Sequence, residues 1–232
     1  MFCHSCGSQV NAGVQFCPQC GQPLGGSPAA QAAEPAYVAV RAPAAARPGA
    51  WVGAGWDIVK ADMGNYVLLT LAYIVLNGMV PVILQGPLTA GFHIYCMKRL
   101  LGRQTDFSDL FKGFNFFLPA LVASLVIVLF TFGASLLCLI PGLVVAAMYK
   151  FTYLFIVDKR LDFWPAMQAS HNVVRGDYFG FTMFLLLLVL VNLLGGLCCI
   201  VGILVSIPVS MAAITVAYQE LVGFDPLTVD RV

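Results

Sequence analysis

The sequence predicts an all-α integral membrane helical bundle of about six transmembrane helices. They are arranged as three hairpins with interfacial amphipathic helices, behind a small N-terminal metal knuckle. Three observations carry this. Hydrophobic residues make up 60% of the chain and charged residues 10%, outside the balance of a soluble domain. Uncharged runs cover residues 63–97, 113–149 and 178–219, which are 35, 37 and 42 residues. One helical crossing takes roughly 20 residues, so each run is too long for one span and nearly long enough for two. Finally, two C-x2-C pairs, Cys3 with Cys6 and Cys17 with Cys20, stand at the start of the chain.

A C-x2-C turn brings two thiolates toward one point, and two such turns supply the four sulfurs of a tetrahedral Zn2+ site. Gly7 and Gly21 follow the pairs, where a residue without Cβ lets the backbone turn tightly. Phe2 and Phe16 precede the pairs at matching positions and are placed to pack together. About twenty residues bury too little apolar surface to fold alone, so the metal supplies the folding free energy. Two disulfides, or iron in a rubredoxin-like site, are the other readings of these cysteines. Short loops and the lack of a cleavable signal-peptide pattern favour zinc. Four thiolates fill the coordination shell and leave no place for a catalytic water, which makes the zinc structural. His4 is read as a solvent-facing residue within the knuckle.

Residues 16–21 read FCPQCG and residues 2–7 read FCHSCG. On these motifs residues 1–24 resemble the short zinc-ribbon module found in front of many bacterial proteins. The resemblance implies a role in protein contacts or nucleic-acid contacts. Residues 1–40 contain no Lys or Arg, so the positive charge that neutralises phosphates is missing and a protein partner is expected instead. Residues 25–50 shift to Ala, Pro and Gly. Prolines 28, 35, 43 and 48 interrupt any helix and no apolar period is present, which predicts a disordered tether.

Residues 51–222 form the membrane domain in this reading, with 223–232 as a cytoplasmic tail. Turn residues fall near the middle of each uncharged run: Gln85-Gly86-Pro87, Ile140-Pro141-Gly142, and Gly195-Gly196 through Gly202. The spans parsed from them are 64–84, 87–101, 115–138, 141–158, 178–197 and 200–221. The second is short and carries His93, which predicts a tilted or incomplete crossing. The hairpin tips hold no Lys or Arg, whereas eleven of the twelve basic residues lie on the opposite side and Lys150 falls inside a span. The positive-inside rule then places both termini in the cytoplasm of a bacterial cell, with the bundle in the inner membrane. A reducing cytoplasm also suits the thiolates.

Each hairpin is preceded by an amphipathic segment. The apolar faces expected from spacings of three, four and seven are Val52, Trp56, Val59 and Met63; Phe107, Leu110, Phe111 and Phe114; and Phe163, Met167, Ser170 and Val174. Asp106 and Asp162 are the expected N-caps of the second and third copies. These helices are expected to lie along the cytoplasmic interface.

The body resembles a broad group of bacterial polytopic membrane domains, including the one attached to some glycerophosphodiesterases. The matching residues are Gly86-Pro87-Leu88 with Gly91 and Tyr95, then Trp164, Ala166, Ser170 and Gly176, then Pro208 and Tyr218. The resemblance implies a six-helix membrane domain. No glycerophosphodiesterase catalytic domain is read in the chain, so that activity does not carry over.

Lys150, His93 and Glu220 are the candidate intramembrane polar site. A charge at mid-membrane costs about 2.5–3.5 kcal/mol on insertion scales. Lys150 therefore either snorkels to the cytoplasmic headgroups, or faces the interior to pair with Glu220 or bind an anionic lipid or solute. His93 reads as a satisfied interior histidine or as a proton relay, and Glu220 as interfacial. Cys96, Cys138, Cys198 and Cys199 lack ligand spacing and are expected to pack as small apolar residues. No hydrolase triad, zinc-hydrolase motif, phosphate loop or dinucleotide fingerprint is present, so no catalytic residue is assigned and a non-enzyme is expected. The expected role is a membrane-anchored binding or scaffold protein whose cytoplasmic zinc ribbon mediates protein–protein interaction. A small-solute transporter or lipid-handling membrane protein is the alternative.

Overall fold

A computed structural model describes residues 6–9, 18–20, 45–137, 139–197, 199–225 and 228. The chain divides into two units, 1–37 and 38–232. Among the described residues of the second unit the fold is all α. In chain order its helices are α1 (Pro48–Ala61), α2 (Met63–Met79), α3 (Pro81–Leu100), α4 (Asp109–Lys112), a 3-10 helix (Gly113–Phe116) and α5 (Phe117–Leu137). Then follow α6 (Leu139–Met148), α7 (Thr152–Asp158), α8 (Phe163–Val174), α9 (Tyr178–Leu197) and α10 (Cys199–Leu221).

Three antiparallel hairpins form, each introduced by a short helical segment. Tyr66 meets Tyr95 and Tyr73 meets Phe92 across α2 and α3. Phe130 meets Tyr149 across the second hairpin, and Asn192 bonds Ser206 and Ser210 across the third. In the second hairpin α5 ends at Leu137 and α6 begins at Leu139; in the third α9 ends at Leu197 and α10 begins at Cys199. Both changes of helix fall close to the expected Pro-Gly and Gly-Gly sites.

The first turn does not fall at Gly86-Pro87. It lies at Val80, and Pro81 opens α3, where a missing N–H and a fixed φ cost nothing. Gly86 is instead a close-approach site: a Cβ there would stand 2.3 Å from the Ala120 carbonyl oxygen, so α3 and α5 touch backbone to backbone. Pro48 is likewise not a tether residue. It opens α1, and the chain just before it is fastened, with Ala46 N–H donating to Asp177 Oδ2 at 3.1 Å. The same carboxylate caps α9 by accepting from Gly180 N–H at 2.8 Å.

In two of the leading segments much of the expected apolar face is turned outward and not onto the bundle, the arrangement of a helix lying apolar side down on an interface. In α1 the buried residues are Trp51, Gly55 and Val59, while Trp56 and Met63 are exposed. Gly55 lets α10 approach until a Cβ would meet Ala213 N at 2.7 Å. In the second segment, around α4, only Leu110 of the four apolar residues is buried, and Phe107, Phe111, Phe114 and Phe117 form an exposed ladder of rings. Asp106 caps no helix. Its own N–H donates to Asp109 Oδ2, while Asp162 does cap α8 through Phe163 N–H.

Four helical stretches are long and apolar enough to cross a membrane, and a fifth arises if α1 and α2, bent by 102°, are taken as one. Large apolar side chains point outward all along α2, α5 and α9, including Leu71, Val75, Leu125, Leu129, Leu190 and Leu193. In water this would be an aggregating surface; in a bilayer it is the lipid-facing one. The exception is α3. It is twenty residues long, does not count among the four, and is buried without interruption over residues 86–98. This polar helix packs against α2, α5, α7 and α10.

Candidate functional site

The fourth expected span, 141–158, is not one helix. It breaks over residues 149–151, between α6 and α7, and Lys150 stands at the break. Tight turns replace the helical ladder: Lys150 N–H donates to Ala147 O at 3.3 Å and Thr152 N–H to Tyr149 O at 3.2 Å. The groups freed by the break are met by one side chain. Ser170 of α8 donates to Met148 O at 2.6 Å and accepts from Phe151 N–H at 3.2 Å. Irregular backbone at membrane depth is tolerated where protein satisfies it and where it lines a cavity, and both conditions hold.

The cavity has a volume of about 450 Å³. Gln85, Thr89 and His93 line it from α3, Ser124, Thr131 and Ser135 from α5, and Tyr149, Lys150 and Tyr153 from the broken span. Ile127, Val128, Phe132, Met211 and Ile214 give it apolar walls. Lys150 and His93 thus face one cavity. The lysine ammonium has no hydrogen bond or ion pair among the described residues, and no Asp or Glu lines the cavity.

His93 is held by Thr215 of α10, with Nδ1 and Oγ1 2.9 Å apart. Thr215 already donates its hydroxyl proton to Met211 O at 2.9 Å. The bond from His93 therefore runs from Nδ1–H to Thr215, and Nε2 is left as an acceptor. Thr89 is tied to Tyr73 at 3.3 Å, whereas the buried hydroxyl of Thr131 has no partner.

Of the three candidate polar residues, the fold brings Lys150 and His93 together and leaves Glu220 elsewhere. Glu220 accepts from Arg47 Nη1 and from Trp51 Nε1, each at 2.7 Å. It fastens α1 to α10, where Trp51 also packs on Phe181 and Phe184. The sequence does not single out Thr215, Ser170 or the hydroxyls of α5 as parts of this site. A signal for part of the lining existed: Gln85, Thr89 and His93 recur at i, i+4 and i+8, a polar stripe on one helical face inside an uncharged run. Away from the cavity, Asp109 takes Lys98 at 2.7 Å and Lys112 at 2.8 Å. Asp158 takes Tyr218 at 2.8 Å and Asp225 N–H at 2.9 Å. These two buried carboxylates brace the end of the bundle away from the hairpin turns. Cys96 is buried, as expected of a packing residue; Cys138 and Cys198, and the side chain of Cys199, lie outside the described residues.

In the first unit, Cys6 and Cys20 are described and exposed, and the other two expected zinc ligands, Cys3 and Cys17, lie outside the described residues. Gly7, directly after Cys6, has φ +72°. That left-handed turn suits a C-x2-C-G knuckle; among the described residues no group of three or more metal-ligating side chains comes together.

A zinc-ribbon domain model matches residues 2–24. Proteins of Mycobacterium bovis and Mycobacterium tuberculosis, themselves named only as uncharacterised, are 31% identical over 167 residues, covering 72% of this chain and 49% of theirs. The chain thus spans about half the length of the curated relatives it matches. No solved structure matches. Taken with the apolar outward faces of the bundle, these findings define a membrane protein with an N-terminal zinc-ribbon module, and the ribbon implies zinc binding.

Proposed function

We propose that the chain is a membrane-anchored binding protein, with a structural zinc held by Cys3, Cys6, Cys17 and Cys20. Its ribbon contacts a protein partner, and its helical body anchors it in a bacterial inner membrane with both termini cytoplasmic. The observation that carries this is the fusion itself: a zinc-ribbon match confined to residues 2–24 sits ahead of an apolar-surfaced bundle. No Lys or Arg occurs in residues 1–40 to favour nucleic acid over protein. The reading assigns no catalysis to the chain. The likeness of the body to the membrane domain of some glycerophosphodiesterases supplies architecture to this reading and no activity.

In-cell crosslinking with mass spectrometry tests it, on the full chain beside its Cys17→Ser, Cys20→Ser variant. A protein captured only with the intact ribbon supports the proposal and names the partner. The same capture by both chains would remove the ribbon from the interaction. A second reading, a small-solute transporter or lipid-handling protein, is favoured by the cavity around Lys150 and by the broken span beside it.

A further inference from the structure

We propose that the cavity around Lys150 binds a small organic anion with an oxyanion head and an apolar body. The inference deepens the second reading above and is independent of the ribbon.

Charge comes first. An ammonium within a span demands a counter-charge, a water path or an escape to the interface. Here Lys150 lies eleven residues beyond Leu139, roughly 16 Å of helix, about half of a ~30 Å hydrocarbon core. Among the described residues no carboxylate lines the cavity and none pairs with the lysine. Besides the phenols of Tyr149 and Tyr153, the other titratable side chain among the described lining residues is His93, whose Nδ1 is committed to Thr215. The site therefore presents an amine and an imidazole and, among the described residues, no built-in anion, so an entering anion would supply the partner that favours the ammonium form.

The break that places Lys150 is constructed, because Ser170 reaches from another helix to satisfy both of its edges. Thr131 offers a buried hydroxyl with no partner, which can donate to an oxyanion. Ile127, Phe132, Met211 and Ile214 add apolar lining that would receive a hydrocarbon body. The volume, about 450 Å³, falls in the range of ligand pockets and is too small for a whole phospholipid, so a lipid would enter with its head alone. The exposed lining residues, Gln85, Val128, Phe132 and Ser135, mark the mouth. Gln85 and Ser135 lie within five residues of the first and second hairpin turns. The ligand thus enters from the hairpin-tip side, out of water or sideways from the bilayer.

The test uses the full chain in nanodiscs, with two probes. Radiolabelled octanoate is titrated into phosphatidylcholine nanodiscs, and phosphatidylglycerol retention is read by native mass spectrometry from mixed-lipid nanodiscs. Saturable octanoate binding identifies a free carboxylate; preferential phosphatidylglycerol retention identifies a lipid head. Either supports the site if Lys150→Gln weakens it about tenfold or more while Lys150→Arg keeps most of it. Equal behaviour of the wild-type chain and Lys150→Gln toward both probes would overturn it. A measurement without any variant guards against misfolding: reductive methylation of Lys150 in the wild-type chain should slow several-fold when either anion is bound. An unchanged rate with both would equally overturn the proposal. Binding without octanoate uptake into proteoliposomes would end the transport reading and leave the site standing.

Discussion

Ser170 shows how much a single hydroxyl can hold in a membrane protein. It bridges two backbone groups that the break at residues 149–151 strips of helical partners, where no water replaces it. Ser170→Ala should lower the stability of the detergent-solubilised protein by about 1–3 kcal/mol, read as a fall in unfolding temperature. Glu220 makes a different prediction. Its pair with Arg47 is 63% exposed on the arginine side and is worth little, so Arg47→Ala should change stability by less than about 0.5 kcal/mol. Glu220→Ala also orphans the Trp51 indole N–H in a buried aromatic cluster, and should cost about 1–3 kcal/mol in the same unfolding measurement. Lys150 and His93 were legible as site residues because an ionisable side chain inside an uncharged run is costly in lipid and must face the protein interior or the interface. The partner of Glu220 was not legible, because Arg47 lies 173 residues upstream in a stretch whose composition reads as tether. The role of Ser170 was hidden for a related reason, since a helical face gives its neighbours on α8 and not the broken span it serves.

At the scale of elements, glycines decide how closely the helices approach. A Cβ on Gly91 would fall 1.8 Å from Leu110 O, and one on Gly113 would fall 2.0 Å from Pro87 O. Because the obstacles are backbone, α3 and the 3-10 helix would have to separate. Gly91→Ala should cost about 3 kcal/mol or more, seen as loss of folded yield. Gly133→Ala, inside α5, meets nothing within 4 Å and should keep the folded yield and hold or slightly raise the unfolding temperature. These glycines also explain the misplaced first turn. Gly-Pro punctuates most chains as a turn, but a glycine in a strongly packed helix serves contact, and the sequence has no local mark to separate the two uses. The second and third turns were legible because hydrophobic run length and turn residues agreed there.

For the whole molecule, the class was readable and the layering was not. Run length and charge pointed to three hairpins, whereas hydropathy points away from α3, the helix most deeply enclosed. Burial follows from packing, and an interior helix in a bilayer can carry polarity that an outer one cannot. The proposed orientation predicts that a cysteine introduced at Val80, with native residues 96, 138, 198 and 199 changed to alanine, reacts with a membrane-impermeant maleimide added outside intact cells. A cysteine at Gln104 should stay unlabelled until the cells are opened. The reverse pattern would invert the topology and put the ribbon outside the cell.

The enclosure of α3 also bears on how the chain is made. Its buried polar residues, His93 and Lys98 among them, are shielded by Thr215 and other residues of α10 and by the segments after residue 108. Synthesis reaches the end of α10 at Leu221, 121 residues after Leu100, which at 5–20 residues per second is roughly 6–24 s. For that interval α3 has no finished interior to enter, and lipid is a poor host for it. The insertion machinery or a membrane chaperone must hold the first hairpin until the third arrives. Chains that stop short of α10 would display an unshielded polar helix, the kind of signal by which membrane proteases recognise failed products.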